Sequence, residues 1–462
     1  MPITLFLIPD WKPETVESAM IMTAELSATA TIASRTMDLE KEPRPETDNL
    51  RARNKGQFIC ASKVQRKWFT ALMLFALLLP HTAVSQSIIT GAERTEAYFP
   101  LLKKKRIAVV ANQTSKVGEK HLIDTLLAAK MRIKKVFAPE HGFRGHAANG
   151  EKVASGIDPV TKLPIVSLYG KHVKPTRKDL KGVDVVVFDI QDVGVRFYTY
   201  LTTLHYVMQA CAENGKPLLV LDRPNPNGHY MDGPLLKPGF ESMVGMHPIP
   251  LVHGMTLGEL ARMINGERWL KTADTCRLTI IPVKNWDHNT AYTLPVPPSP
   301  NLPTQESILL YPTLGLMEGT VMSMGRGTDK PFECFGAPWL KDGHYTFVPR
   351  NIPGKAVNPP FLGDTCRGFL LTDFAKNYIA GSRQLYIEWY EMLLNACPDK
   401  QKFFNPFFDK LAGGTELRTA LLSGTSIKKI RDFWKEDLYR FEYKRNRYLL
   451  YPCIPGVGHI KP

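Results

Sequence analysis

"VDVVVFDIQD", residues 183–192, decides the fold. Val185, Val186, Val187 and Phe188 follow one another without polar alternation, as expected of a strand covered on both faces in a parallel sheet. Working outward, "RIAVVAN" (106–112), "KKVFAPE" (134–140), "LPIVSLYG" (163–170) and "KPLLVLDRPNP" (216–226) read as further buried strands, the last ended by Pro224 and Pro226. Helical spacing separates them. Leu122, Ile123, Leu126 and Leu127 fall on one face of 121–129, and Leu201, Leu204, Met208 and Cys211 mark another helix. Strands alternating with helices at this spacing predict an α/β fold with a doubly wound, largely parallel sheet.

Ligands of such sheets bind beyond the carboxyl ends of the strands. Polar residues gather at those ends here: Asn112-Gln113-Thr114, Glu140-His141, Asp189-Gln191-Asp192 and Asp222-Arg223-Asn225. Each alone suits an ordinary turn; together they predict a site. No GxGxxG follows the first strand and no GxxxxGK[ST] occurs, so no nucleotide or other cofactor is expected. Thr256 and Glu259 have capping-box spacing, which makes Glu259 a cap rather than a catalyst, and His253 reads as a hydrogen-bonded structural histidine.

After the proline-rich stretch "YTLPVPPSPNLPT" (292–304) the rhythm changes. Residues 310–340 read as a long irregular segment of functional type, held ordered by Tyr311, Phe332, Phe335 and Trp339. Helices return at 384–396, at 415–424 and in a basic final helix ending at 441–451, so the second domain is expected to be a smaller α+β unit.

The chain has 462 residues and a formal charge of +15, with 44% hydrophobic and 22% charged residues, which is globular rather than disordered composition. The basic residues are scattered, and no RNP, helix-turn-helix or zinc-finger pattern accompanies them, so no nucleic-acid partner is expected. The seven cysteines form no CxxC pair, which argues against structural zinc and thioredoxin-type chemistry. Residues 63–85 have the layout of an export signal: Lys63, Arg66 and Lys67, then an apolar run from Trp68 to Leu79, then Ala83 and Ser85. The run is short for a bilayer span, so membrane attachment is expected only through an uncleaved signal anchor. The expected organisation is a disordered leader or over-long gene start at 1–62, a signal peptide at 63–85, a catalytic domain at 86–295 and an auxiliary domain at 296–462, in an exported protein.

The runs "FAPEHGFRG", "LYG", "DIQDVGVRFYTY", "DRPNP", "HGMTLGELA", "SPNLPT", "EGT" and "GRGTDKPFECFGAPW" resemble the NamZ-type exo-β-N-acetylmuramidases, in order from about residue 90 to Tyr451. The resemblance implies a Rossmann-like domain, a smaller auxiliary domain and an active site in the cleft between them. It implies release of N-acetylmuramic acid from the non-reducing ends of peptidoglycan fragments or muropeptides. It points to Glu140 as the catalytic residue, and to Asp189, Gln191, Asp192, Arg196, Tyr198 and Thr199 as cleft residues.

The chemistry of the residues agrees. Glycoside hydrolysis uses one carboxylic acid to protonate the departing oxygen and a second group as base or nucleophile. Glu140 follows an apolar strand, where partial desolvation favours a protonated carboxyl; an alternative is a carboxylate held by Arg144. His141 and Asp192 complete the expected catalytic set, with Asp189 and Glu318 also eligible as partner. A lactyl carboxylate asks for an arginine, and Arg196, Arg223 and Arg326 are candidates. Gln191, Asn225 and Asn301 are expected to meet sugar hydroxyls, Tyr198 or Trp339 a sugar face, and Asp222 and Thr328 are further expected substrate-binding residues. Two other readings stand beside this one. Glu140, His141, Asp189 and Asp192 are metal-ligand types, as in a metal-dependent hydrolase, although no HxH or HExxH spacing occurs. A non-catalytic muropeptide-binding protein is the other.

Overall fold

Buried Val, Ile and Leu build the sheet, each contributing about 1.5–3 kcal/mol when fully removed from water. The computed structural model describes residues 87–144 and 155–452. The expected leader and export signal lie outside the described residues, as do Cys60 and Cys453.

Helix α1 (Thr95–Leu102) leads into β1 (Arg106–Ala111), the hairpin β2 (Lys116–Val117) and β3 (Lys120–His121), α2 (Leu122–Ala128) and β4 (Arg132–Ala138). Next come β5 (Gly156–Ile157), β6 (Pro164–Ser167), β7 (Val185–Asp189), α3 (Tyr200–Glu213), β8 (Pro217–Leu221), α4 (Leu257–Gly266) and β9 (Arg277–Ile281). The main sheet has the order β5-β6-β4-β1-β7-β8-β9. Its pairings are parallel except β5 with β6.

Alternate residues of the central strands point to opposite faces, and both faces are covered. Val109, Val136 and Val187 pack with Tyr98, Leu102, Ile123 and Leu126 from α1 and α2. Val110, Phe137, Val186 and Phe188 pack with Leu204, Met208, Leu260 and Ile264 from α3 and α4. Leu127, expected on the buried face of α2, is 37% exposed, because this two-turn helix offers the sheet only its 122–123–126 edge. Thr256 and Glu259 do form the capping box of α4, and Glu259 also accepts from the Leu450 amide and contacts the His288 ring.

A second, smaller domain carries α5 (Gln305–Leu314), then a three-stranded antiparallel sheet of β10 (Cys334–Ala337), β11 (Tyr345–Phe347) and β12 (Cys366–Leu370) in the order β10-β12-β11. Helices α6 (Glu388–Ala396), α7 (Pro406–Ala412), α8 (Glu416–Leu422) and α9 (Ile427–Asn446) follow. The irregular segment expected from 310 is therefore corrected at its start, since α5 and a 3-10 turn at Leu316–Gly319 occupy it. Helix α5 is buried around nearly its whole circumference from Ser307 to Leu314, so its sequence shows no amphipathic period. The core that begins under α3 continues without a break through Leu310, Phe335, Trp389, Phe408 and Phe441. The described cysteines are free, and Cys211 is buried as its helical face predicts.

Candidate functional site

The chain leaves β1 for β4 on one side and returns to β7 on the other, so the carboxyl ends of these three strands open a crevice at the switch point. Glu140 stands two residues beyond β4, and Thr199 immediately precedes α3. Glu140 is only 7% exposed, and its Oε2 accepts a hydrogen bond of 2.7 Å from the Thr199 hydroxyl. The turn that presents it is tight: the Gly142 amide donates to the Pro139 carbonyl at 3.0 Å, with His141 and Gly142 at positive φ (67° and 77°). A non-glycine residue in that region is uncommon and is held there by its surroundings. Arg144 turns to Asp158 (2.9 Å) and lies over the Phe143 ring.

Glu140 and His141 line a cleft of about 470 Å³ together with Tyr198, Thr199, Asn301, Glu318 and Arg326. Arg326 comes from the "GRG" turn, where Gly325 and Gly327 have φ of 77° and 80°. A Cβ on Gly325 would meet the Lys330 carbonyl at 2.5 Å, and one on Gly327 the Arg350 carbonyl at the same distance, so only glycine allows the turn. Thr328 closes it by donating to the Gly325 carbonyl at 2.7 Å. Arg326 then reaches Glu318, on the 3-10 turn after α5, at 2.8 Å, and lies over the Phe332 ring. Burial works against the charge on Arg326, and the Glu318 carboxylate more than offsets it, raising the guanidinium pKa. Burial also lifts the Tyr198 and Tyr311 phenols well above their ordinary range, so both stay neutral.

Other expected site residues are used within the fold and are absent from the described cleft lining. Arg223 forms a buried bidentate pair with Asp189, Nε to Oδ1 at 2.6 Å and Nη2 to Oδ2 at 3.0 Å. Gln191 donates to the Asp192 and Pro224 carbonyls, and Asn225 to that of Met255. Asp222 accepts from the Gly258 amide at the start of α4 and from the hydroxyls of Thr256 and Tyr451. Arg196 donates to four carbonyls, those of Pro234 and Ile249 through Nη1 and of Leu411 and Ala412 through Nη2. Asp192 accepts from the Gly194 amide at 2.7 Å, with His253 at 3.7 Å, and burial pushes its carboxyl up to about 7. Trp339 packs against the core, and His253 accepts from the Met255 amide as a structural histidine should. Of the three arginines that could face a carboxylate, Arg326 is the one in the lining.

The lining also includes Tyr169, Tyr200, Tyr311, Phe332 and Phe407. Tyr169 lies in the "LYG" run and Tyr200 closes "RFYTY"; Tyr311 and Phe407 carry no local signal, since core aromatics look the same in sequence. Among the described residues, no group of three or more His, Cys, Asp and Glu is placed to hold a metal ion. No helix of the described residues is long and apolar enough to cross a membrane.

Comparison with known proteins adds to this geometry. The family model for the N-terminal part of exo-beta-N-acetylmuramidase NamZ matches residues 107–306, and that for its C-terminal part matches 309–451. The peptidoglycan beta-N-acetylmuramidase NamZ of Bacillus subtilis (strain 168) is 39% identical over 421 residues, covering 83% of this chain and 98% of that one. Two crystal structures of DUF1343 family proteins from Bacteroides fragilis NCTC 9343 are similar. One has a TM-score of 0.74 at 46% identity and covers 80% of this chain and all of its own. The other has a TM-score of 0.67 at 30% identity and covers 79% of this chain and 99% of its own.

Proposed function

This chain belongs to the exo-beta-N-acetylmuramidase NamZ family, and on that premise we propose that it is a glycosidase releasing N-acetylmuramic acid from the non-reducing ends of peptidoglycan fragments. Glu140 is the general acid. The observation that carries this reading is a buried carboxyl lining a cleft whose walls come from both family segments, with Glu140, Thr199 and Asn301 from the first and Glu318, Arg326 and Phe407 from the second. Glu140 protonates the glycosidic oxygen as the bond to the departing sugar breaks. The Thr199 hydroxyl donates to the carboxylate that this transfer leaves behind. Glu318 is the second carboxylate of the described lining and is assigned as the partner group, held in place by Arg326. Arg326 also presents donors to the lactyl carboxylate. Asn301 supplies a polar contact for sugar hydroxyls, and the faces of the lining aromatics a contact for the ring.

We extend the proposal to the organisation of the chain: 86–295 carries the acid, 296–462 completes the cleft, and 63–85 directs export to the compartment where peptidoglycan fragments occur. The direct test is turnover of a chromogenic N-acetylmuramic acid glycoside by the wild type and by Glu140→Gln. The variant is expected to lose about 10²–10⁴-fold, as when general acid catalysis is removed. Equal rates would overturn the assignment of Glu140. Binding without turnover by the wild type would favour a muropeptide-binding protein, and activity abolished by a chelator a metal-dependent hydrolase.

A further inference from the structure

The cleft lies at the carboxyl ends of the parallel strands; their amino ends form the opposite edge of the sheet. Residues 103–105 join α1 to β1 and residues 129–131 join α2 to β4, so the last turns of both helices reach that amino edge. There β1 and β4 start in register, Arg106 beside Arg132. The segment before β7 packs alongside, because Asp184 accepts from Arg106 at 2.7 Å.

Cations that are dispersed along the chain are thereby gathered in one place. Lys103, Lys104, Lys105, Lys130, Arg132 and Lys181 are all exposed at this edge. The carboxylates among them already have partners: Asp184 pairs with Arg106, Asp179 with His172 at 3.1 Å, and Glu213 with Lys174 at 2.9 Å. A surplus of positive charge remains. A cation in the last turn of a helix complements the helix dipole, which accounts for one lysine at each end. Two further features have no such explanation. Lys104 and Lys130 have φ of 63° and 55°, where glycine is the favoured residue, and both turns nevertheless carry lysine. Leu101 and Leu127, in the last turns of α1 and α2, are 49% and 37% exposed, while their neighbours Leu102 and Leu126 are buried. The Lys103 amide donates to the Phe99 carbonyl and the Lys130 amide to the Leu127 carbonyl, so a lysine follows each exposed leucine directly.

Exposed leucines ringed by lysines match the surface of an anionic bilayer, where phosphates lie above an apolar layer. Lysine stems are apolar and flexible, so they extend past the leucines to the phosphates. A polyanion in solution would satisfy the lysines and leave the leucines in water.

We propose that the amino edge of the main sheet, around Leu101 and Leu127 with Lys103, Lys104, Lys105 and Lys130, docks on the surface of an anionic phospholipid bilayer. The docked chain turns Glu140 and its cleft away from the lipid, open to glycan arriving from the other side. This attachment is separate from any that residues 63–85 supply, and it does not depend on the chemistry assigned to Glu140.

The test is co-sedimentation of the full chain with vesicles of phosphatidylcholine alone or of an equimolar mixture with phosphatidylglycerol. Whatever residues 63–85 contribute is common to the wild type and its variants. At low salt the wild type should bind the mixed vesicles at least about tenfold more tightly than the neutral ones. Lys103→Glu combined with Lys104→Glu and Lys130→Glu should remove most of that ratio. Leu101→Ser with Leu127→Ser should weaken binding to mixed vesicles about three- to tenfold. Lys104→Gly with Lys130→Gly removes two charges and gives each turn the residue it favours, so it should keep its Tm and still lose about fivefold or more. Unchanged turnover of the chromogenic glycoside without vesicles verifies that each variant is folded. Wild-type binding indifferent to lipid charge would overturn the proposal, as would a charge-reversed variant that binds like the wild type. A leucine variant with full vesicle affinity, together with displacement of the wild type by soluble polyphosphate, would overturn it too, by making the partner a polyanion in solution.

Discussion

Thr199→Val removes one hydroxyl and keeps the branched shape, so it isolates the 2.7 Å bond to Glu140. The hydroxyl does not cap α3, whose first turn has no side-chain cap bond, and the Thr199 carbonyl still accepts from the Thr203 amide. Folding stability should therefore fall only by what this one bond contributes to a neutral carboxyl, about 0.5–1.5 kcal/mol. The catalytic effect comes from a difference between states. A hydrogen bond to a charged partner contributes about 1.5–3 kcal/mol, against about 0.5–1.5 kcal/mol to a neutral one. If Glu140 starts as an acid and becomes a carboxylate as the bond breaks, the transition state loses about 1–1.5 kcal/mol more than the ground state, or roughly 5–12-fold in rate. The assay is kcat/KM on the chromogenic glycoside for wild type, Thr199→Val, Glu140→Gln and the double variant. The threonine effect should vanish in the Glu140→Gln background, because the charge it serves no longer forms. A fall in activity of the same size in both backgrounds would refute the argument, as would a single variant indistinguishable from wild type.

Two further predictions concern the scaffold. Arg223→Met leaves Asp189 buried without its cation and should cost about 3–5 kcal/mol in urea unfolding, while Asp189→Leu combined with Arg223→Met should recover most of the loss; an unchanged midpoint in the single variant would show that the pair contributes nothing. The rings of His205 and His247 lie 4.9 Å apart, tilted by 54°, and burial pushes their pKa values down to about 4 and about 3. Since the folded values lie below the unfolded one of about 6.5, this contribution is complete above about pH 6.5 and is lost as pH falls towards the folded values, at up to about 1.4 kcal/mol per pH unit for each histidine. His247→Phe, which keeps the stack on Trp269, should move acid unfolding to lower pH; an unmoved acid transition would remove these histidines from the account.

The main sheet was legible because Val185–Phe188 and its neighbours are apolar on both faces, a pattern little else produces. The strand Arg277–Ile281 escaped that criterion, since at the sheet edge its outer residues are exposed or half-buried and it lacks an unbroken apolar run. Helix α5 escaped for the opposite reason, being buried nearly all round. The site was legible in the same partial way. Of the four polar clusters at strand ends, Glu140-His141 lines the crevice, where Tyr198, Asn301, Glu318 and Arg326 join it. Asp189, Arg223, Gln191 and Asn225 share those strand ends but find their partners inside the protein. Composition tells where polar groups collect; it does not tell whether one faces a ligand or a neighbouring carbonyl.

Arg196 has a bearing on how such a fold can change over time. Its guanidinium stands after β7, yet two of the carbonyls it holds, those of Leu411 and Ala412, belong to the end of α7, and Leu411 itself forms part of the cleft. Lysine, with a single ammonium, cannot span that set of acceptors. The half that carries Glu140 is therefore a poor candidate for transplantation as a module, because cutting it away would strand a buried cation and dissolve one wall of its own pocket. Changes confined to a rim segment such as 355–360 leave the four carbonyls held by Arg196 in place.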